Sequence, residues 1–346
     1  MTEKQYGGQT GREGKTAVGN KKIAVEPKKV SLITKKKIVN ESEQDSVPKA
    51  SGRVGGEMIS EKKSPKFSFE KANQIAHEVK IFAKSFIKKG MPLLEIAEKI
   101  EDKIFELGGK PAFPTNLSIN EIAAHYTPSY DDKTLAEGLL KVDFGVQIDG
   151  WTSDNAFSLD LENSVENKKL IEAAEKALEN ATKIFNKEHS FGEVGKTIQE
   201  AISSYKFQPI LNLSGHSITQ YDLHSGFNVP NFNNNDNEKI KKGLFAIEPF
   251  STNGAGKVQD GNSSGIYQFV FPKTPRSQTA REVLEYIAET FNTLPFCQRW
   301  IYKKFQARGL FALRELENNG NLHHFAQLVE VSKGKVAQAE KTIFVD

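Results

Sequence analysis

The stretch Val142-Asp143-Phe144-Gly145-Val146-Gln147-Ile148-Asp149-Gly150-Trp151-Thr152-Ser153-Asp154 decides how this chain is read. Asp149-Gly150 is a two-residue hairpin signal, because both residues tolerate the positive φ of a type I′ turn. The turn predicts paired strands at about 139–148 and 151–160, with Ile148 facing Trp151 and Gly145 facing Asp154. Asp143 lies two residues from Gly145 and therefore shares a face with Asp154. Their Cα atoms are expected ~7–8 Å apart, as diagonal cross-strand neighbours. Gly145 is expected to leave open space between them. The neighbouring Leu140, Val142, Phe144 and Val146 mark a partly buried hairpin, where repulsion between two carboxylates costs more than in water. A bridging metal resolves that conflict; a wet, solvated face is the alternative.

Upstream, Ile75, Val79, Phe82 and Phe86 recur at helical spacing before Gly90. A second stripe of Leu94, Ala97, Ile100, Ile104 and Leu107 runs from Pro92 to Gly108-Gly109. Downstream, helices are predicted over roughly 163–186, with Leu170, Ala173, Ala177 and Ala181 on one stripe, and over 192–204. Strands follow near 208–213, 243–251 and 264–271. Two helices and then paired strands, twice over, predict an α+β domain with pseudo-duplicated halves. After Pro272 the pattern turns helical, with Val283, Ile287 and Phe291, then Phe305, Leu310, Leu313 and Leu316. A strand is predicted from Val336 to Val345.

Three more polar residues fall in apolar surroundings. His216 follows Pro209-Ile210-Leu211-Asn212-Leu213, Glu248 sits in Leu244-Phe245-Ala246-Ile247-Glu248-Pro249-Phe250, and Glu340 lies among Val336, Ala337, Ala339 and Ile343. A glutamate in an apolar strand is costly unless paired or ligated. Taken singly, each glutamate is more often an edge-strand carboxylate facing solvent. Together with the two aspartates they supply one imidazole and four carboxylates.

From about residue 67 to the end, the chain resembles the type II methionine aminopeptidases of the pita-bread metallopeptidases, closest to their archaeal branch. The resemblance is carried by Ala112-Phe113-Pro114-Thr115-Asn116-Leu117-Ser118-Ile119-Asn120, Ala123-Ala124-His125-Tyr126-Thr127-Pro128, Asn212-Leu213-Ser214-Gly215-His216, Ala246-Ile247-Glu248-Pro249-Phe250 and Thr293-Leu294-Pro295-Phe296. Glu248 and Glu340 lie 92 residues apart, which matches the helical insertion that defines type II. The resemblance implies the pita-bread (creatinase/aminopeptidase) fold over 67–346, with that insertion at about 272–330. It implies removal of the N-terminal initiator methionine from nascent proteins, favouring a small second residue.

It also implies roles for individual residues. Asp143, Asp154, His216, Glu248 and Glu340 would hold two divalent metal ions, Co, Mn, Fe or Zn, with Asp154 and Glu340 bridging. Four carboxylates balance two such cations, so the loaded site is near neutral. Glu248 would also serve as general base. His224 would hydrogen-bond the scissile carbonyl, and His125 the scissile amide nitrogen. Phe113, Leu223, Phe250 and Phe325 would line the methionine pocket; without the resemblance they read equally well as core residues. His77, His189, His323 and His324 match no site of the family. Lys341, where the family usually has histidine, and Asn155, where a small hydroxyl or thiol residue is usual, depart from the pattern without removing a ligand.

Residues 1–66 differ in kind. They hold few large apolar groups and read as a disordered basic tail. They carry 15 Lys/Arg against 8 Asp/Glu, a net charge of +7, whereas the remainder carries 32 against 36, or −4. A basic tail on a mildly acidic body points to ribosomal RNA near emerging chains, with a solvated tail that has no partner as the alternative. The lone Cys297 excludes an intrachain disulfide, Met1-Thr2-Glu3-Lys4 begins no apolar signal segment, and no stretch approaches the ~18 apolar residues of a membrane span. A cytoplasmic monomer without a membrane partner is expected. Two other readings stay open: a non-enzymatic ribosome- or RNA-associated protein on the same fold, and a proline-directed peptidase of the same superfamily.

Overall fold

The computed structural model describes residues 64–346. The basic tail, up to residue 63, lies outside the described residues. In chain order the elements are α1 (Pro65–Phe86), α2 (Leu93–Glu106), β1 (Lys110–Ile119), β2 (Ile122–Ala124), β3 (Leu139–Ile148), β4 (Trp151–Asp160), α3 (Val165–Ile184), α4 (Phe191–Ser204), β5 (Gln208–Pro209), β6 (Ser214–Ile218) and β7 (Asn228–Pro230). They continue with β8 (Gly243–Ile247), β9 (Phe250–Thr252), β10 (Val258–Phe269), α5 (Gln278–Phe291), β11 (Phe296–Cys297), α6 (Gln298–Asn318), β12 (Leu322–Glu330), β13 (Val336–Gln338) and β14 (Lys341–Val345).

A helix pair over an antiparallel sheet occurs twice. In the first half, α1 and α2 bury Ile75, Val79, Ile96 and Ile100 against Val142, Phe144 and Phe157 of the sheet β1-β3-β4. In the second, α3 and α4 bury Ala177, Ile198 and Ile202 against Phe245 and Ile247 of the sheet β14-β8-β6-β7. The remaining strands form the short sheet β13-β9-β5 and the sheet β11-β10-β12-β2. The pseudo-duplicated α+β architecture expected from the pattern is present.

The hairpin forms as its turn dictates. Asp149 and Gly150 have φ of 52° and 81°, both positive as type I′ requires, and Ile148 pairs with Trp151 and Gly145 with Asp154. Elsewhere the structure differs from the sequence reading for identifiable reasons. Helix α1 starts two residues before Phe67, because Ser64 caps it by accepting from the Phe67 N–H and Pro65 fits its first turn. Strand β1 was not expected; its Pro111 and Pro114 sit at register shifts, where a missing N–H breaks no ladder bond. The strand expected near 208–213 shrinks to Gln208–Pro209, and pairing resumes at Ser214. The strand near 264–271 instead starts at Val258. Within the stretch read as helical at about 272–330, α5 and α6 end at Asn318, and 322–330 is a strand paired with β10. The strands expected at 243–251 and 336–345 are each broken, after Ile247 and after Gln338, at Glu248-Pro249 and Ala339-Glu340.

Candidate active site

These two breaks build the site. Gln338 pairs with Phe250 and Lys341 with Ile247, so both strands change sheets at the same level, with Glu340 and Glu248 opposite each other at the crossing. Strand β4 is sewn to this crossing. The Asp154 N–H donates to Thr342 Oγ1 at 2.7 Å, the Glu340 N–H to the Ala156 carbonyl at 3.1 Å, and the Gln338 N–H to Ser158 Oγ at 2.9 Å. Asp154 and Glu340 thereby meet. His216 on β6 pairs with Ala246 of β8, and Gly215 lets the two backbones close, since a Cβ there would collide with the Ala246 carbonyl.

The result is a cavity lined by Asp143, Asp154, His216, Glu248 and Glu340 together with apolar groups. His216 Nε2 lies 3.7 Å from Asp154 Oδ2 and 3.6 Å from Glu248 Oε1. Donor atoms of Asp154, His216 and Glu340 all fall within 4.8 Å of one another. Asp154, His216 and Glu340 are buried; Asp143 and Glu248 are half-buried. The five ligand candidates converge from three strands and two strand breaks scattered over some two hundred residues.

Electrostatics make this cluster unfavourable without cations. Burial pushes the Asp143 carboxyl up to about 7. Burial and the nearby Asp143 hold Asp154 well above its usual range. Burial, then Asp154 and Asp143, do the same to Glu248. Burial, then Asp154, Glu248 and Asp143, raise Glu340. The imidazole offers no positive charge, because burial and the neighbouring His224 lower His216 to about 3. Among the described residues no Lys or Arg pairs with any of the four carboxylates. Asp143 Oδ1 and Asp154 Oδ1 are buried with no hydrogen-bond partner. Oxygen-rich donors with one imidazole, unpaired and pointed at one another, fit divalent metal binding.

The remaining cavity wall carries the other candidates. Leu223, Phe113 and Phe325 line it, as do His125 and His224. His125 follows β2 with a left-handed backbone, φ 62°, and its Nδ1 lies 3.2 Å from the Ala326 carbonyl. A carbonyl only accepts, so Nδ1 carries the proton and Nε2 keeps a free lone pair. Desolvation lowers His125 to about 4, which keeps it neutral. His224 sits with its ring 4.3 Å from that of His216.

Two expectations need correction. The space over Gly145 is not open: the Phe113 ring fills it so closely that any Cβ would collide. Phe250 does not line the cavity. Strand β9 joins a different sheet from β8, and Phe250 packs with Ala123, Ile210, Val258 and Val336 instead. Asn116, Ile266 and Pro295 do line the cavity, although the sequence reading gave them no role. Asn116 and Pro295 lie in quoted blocks, but only the pairing of β1 with β3 reveals the former. The departures from the family pattern also find their places: Asn155 donates its amide to Ser153 Oγ at 3.0 Å, and Lys341 is exposed.

Comparison with known proteins agrees with this geometry. Residues 68–284 match the model of metallopeptidase family M24. A methionine aminopeptidase of Methanocaldococcus jannaschii is 43% identical over 277 residues, covering 79% of this chain and 93% of the relative. Among solved structures, a thermophilic Arx1 superposes with a TM-score of 0.69 at 15% identity, covering 80% of this chain and 87% of that one. A methionine aminopeptidase from Thermotoga maritima gives 0.59 at 20% identity, covering 82% and 94%. At such identities the superpositions establish the shared fold. The sequence matches go further: the chain belongs to metallopeptidase family M24 and, within it, to the methionine aminopeptidases.

Proposed function

We infer that this chain is a metal-dependent methionyl aminopeptidase that hydrolyses the first peptide bond of proteins beginning with methionine. The observation that carries the reading is the convergence of four uncompensated carboxylates and one neutral imidazole beside an apolar wall. Asp143, Asp154, His216, Glu248 and Glu340 would hold two divalent ions, with Co, Mn, Fe and Zn all compatible with the donor set. Bound there, such ions supply Lewis-acid polarisation and a water nucleophile active near neutral pH.

The chain's own residues do the rest. Glu248, at the strand break with its Oε1 3.6 Å from His216 Nε2, takes up and returns the proton of the attacking water. His224, at the mouth of the cavity, donates to the scissile carbonyl oxygen as negative charge develops. His125 accepts the scissile amide N–H at its free Nε2 and stays neutral while doing so. Phe113, Leu223, Ile266 and Phe325 enclose the unbranched methionine side chain and exclude water from it. The basic segment 1–66 would tether the enzyme to ribosomal RNA in the cytoplasm, a reading supported by its charge of +7 against −4 for the body.

The deciding experiment measures methionine release from Met-Ala-Ser alongside hydrolysis of an Xaa-Pro peptide, with metal content determined on the same sample. Methionine release and bound metal are expected. Cleavage of the Xaa-Pro peptide alone, or no hydrolysis by metal-loaded protein, would overturn the reading.

A further inference from the structure

One polar atom in the cavity has no place in that scheme. Asn116 is 4% exposed and lines the cavity, yet its Oδ1 is buried without a hydrogen-bond partner. Its position is built. In a regular strand Phe113 and Asn116, three residues apart, would point to opposite faces. Here Phe113 pairs with Gly145 and Asn116 with Asp143, three residues against two, and this register shift turns both side chains into the cavity. Such irregularities re-aim side chains beside active sites.

The backbone around Asn116 is held on both sides. The Thr115 N–H donates to Glu101 Oε1 at 3.2 Å, Thr127 Oγ1 donates to the Thr115 carbonyl at 2.9 Å, and the Leu117 N–H donates to the Tyr126 carbonyl at 2.6 Å. A buried amide oxygen left unsatisfied in such a fixed frame is costly unless a ligand brings a donor. The other partnerless oxygens of the cavity belong to Asp143 and Asp154. Asn116 faces Asp143 directly, on the acidic side of the cavity. The part of a peptide that carries several N–H donors on one atom is its free α-amine.

We propose that Asn116 is a recognition residue for the substrate α-amine, its Oδ1 accepting a hydrogen bond from the free N-terminus. It thereby confines cleavage to the first residue of a chain. This rests on the aminopeptidase reading of the same cavity.

The test compares two ligands that differ only in the amine: L-methionine and its des-amino analogue, 4-(methylsulfanyl)butanoate. Their affinities are measured by calorimetry on the metal-loaded wild type and Asn116→Leu, with metal content quantified in both. The variant is expected to lose about 10- to 100-fold in affinity for methionine and less than about 2-fold for the analogue, with metal content unchanged. The KM for Met-Ala-Ser should rise in parallel. Equal losses for both ligands would reduce Asn116 to a packing role and overturn the proposal. A fall in bound metal would make it a cation ligand, which also overturns it. Asn116→Ala provides the same comparison if leucine prevents folding. If the wild type discriminates the ligands and the variant does not, but Met-Ala-Ser is never cleaved, the peptidase reading fails while the amine site stands.

Discussion

Glu101 and Glu340 are similarly buried, at 4% and 2% exposed, but their surroundings differ in kind. Glu101 has its acceptors filled by Arg299 at 2.7 and 2.9 Å, by Trp300 Nε1 at 2.8 Å and by the Thr115 N–H. Glu340 receives one 3.3 Å contact from the Gln338 amide and is acted on by the charges of Asp154, Glu248 and Asp143, with Lys80 a weaker opposing charge and no ion pair to it. The same fold can neutralise a buried carboxylate completely when that carboxylate ties α2 to α6. Where it does not, the unfilled acceptors are offered to something outside the chain. Completeness of pairing, rather than burial, separates the structural charge from the functional one.

The contrast can be broken most forcefully at the unpaired site. Asp154→Ala or Glu340→Ala is expected to lower kcat/KM for Met-Ala-Ser by about 10³-fold or more, with loss of bound metal. Full activity in either variant would equate the two sites. At the paired site, Glu101→Ala leaves Arg299 buried and uncompensated, and should cost about 3–5 kcal/mol in denaturant unfolding. Replacing both partners, Glu101→Leu with Arg299→Met, should recover much of that loss. A double variant as unstable as the single one would show that the pair is more than mutual compensation.

A third test uses pH. In metal-stripped protein the raised carboxyls of Asp143, Asp154, Glu248 and Glu340 keep protons that the unfolded chain sheds near about pH 4. Their contribution is therefore complete below that pH and is lost as pH rises through the folded-state values, which for Asp143 is about 7. The stripped protein should lose stability between about pH 5 and 7, by up to about 1.4 kcal/mol per pH unit for each extra proton held. Metal loading should flatten that slope. The smallest effect is expected at an exposed pair: Lys99→Ala, which removes the partner of Glu95, should change stability by no more than about 0.5 kcal/mol.

Parts of this architecture were legible in the sequence because local chemistry dictates them. Asp149-Gly150 fixes one turn, and that turn sets the register of twenty residues, including Asp143 and Asp154. The glutamates were legible only as acidic residues in apolar company. That their strands break at the same level, so that Glu248 and Glu340 confront each other, depends on sheet exchange that no local pattern records. Phe250 was misplaced for that reason, since the strand carrying it turns away after Pro249. Strand β1 was hidden by its prolines, and with it the partnership of Asn116 and Asp143. Strand β12 escaped notice because most of it is half-buried on both faces, which erases the alternation of period two. The Glu101–Arg299 pair joins residues 198 apart along the chain, and nothing in either neighbourhood announces the other.

The left-handed backbone at His125 has a practical bearing on how its imidazole should be removed. Alanine would deprive the position of its ring and also disfavour the φ of 62°, so a loss of activity could reflect a displaced loop rather than a missing acceptor. Asparagine tolerates that conformation and glycine has no side chain to oppose it. Only substitutions of that kind would separate the contribution of the ring from the shape of the chain that presents it.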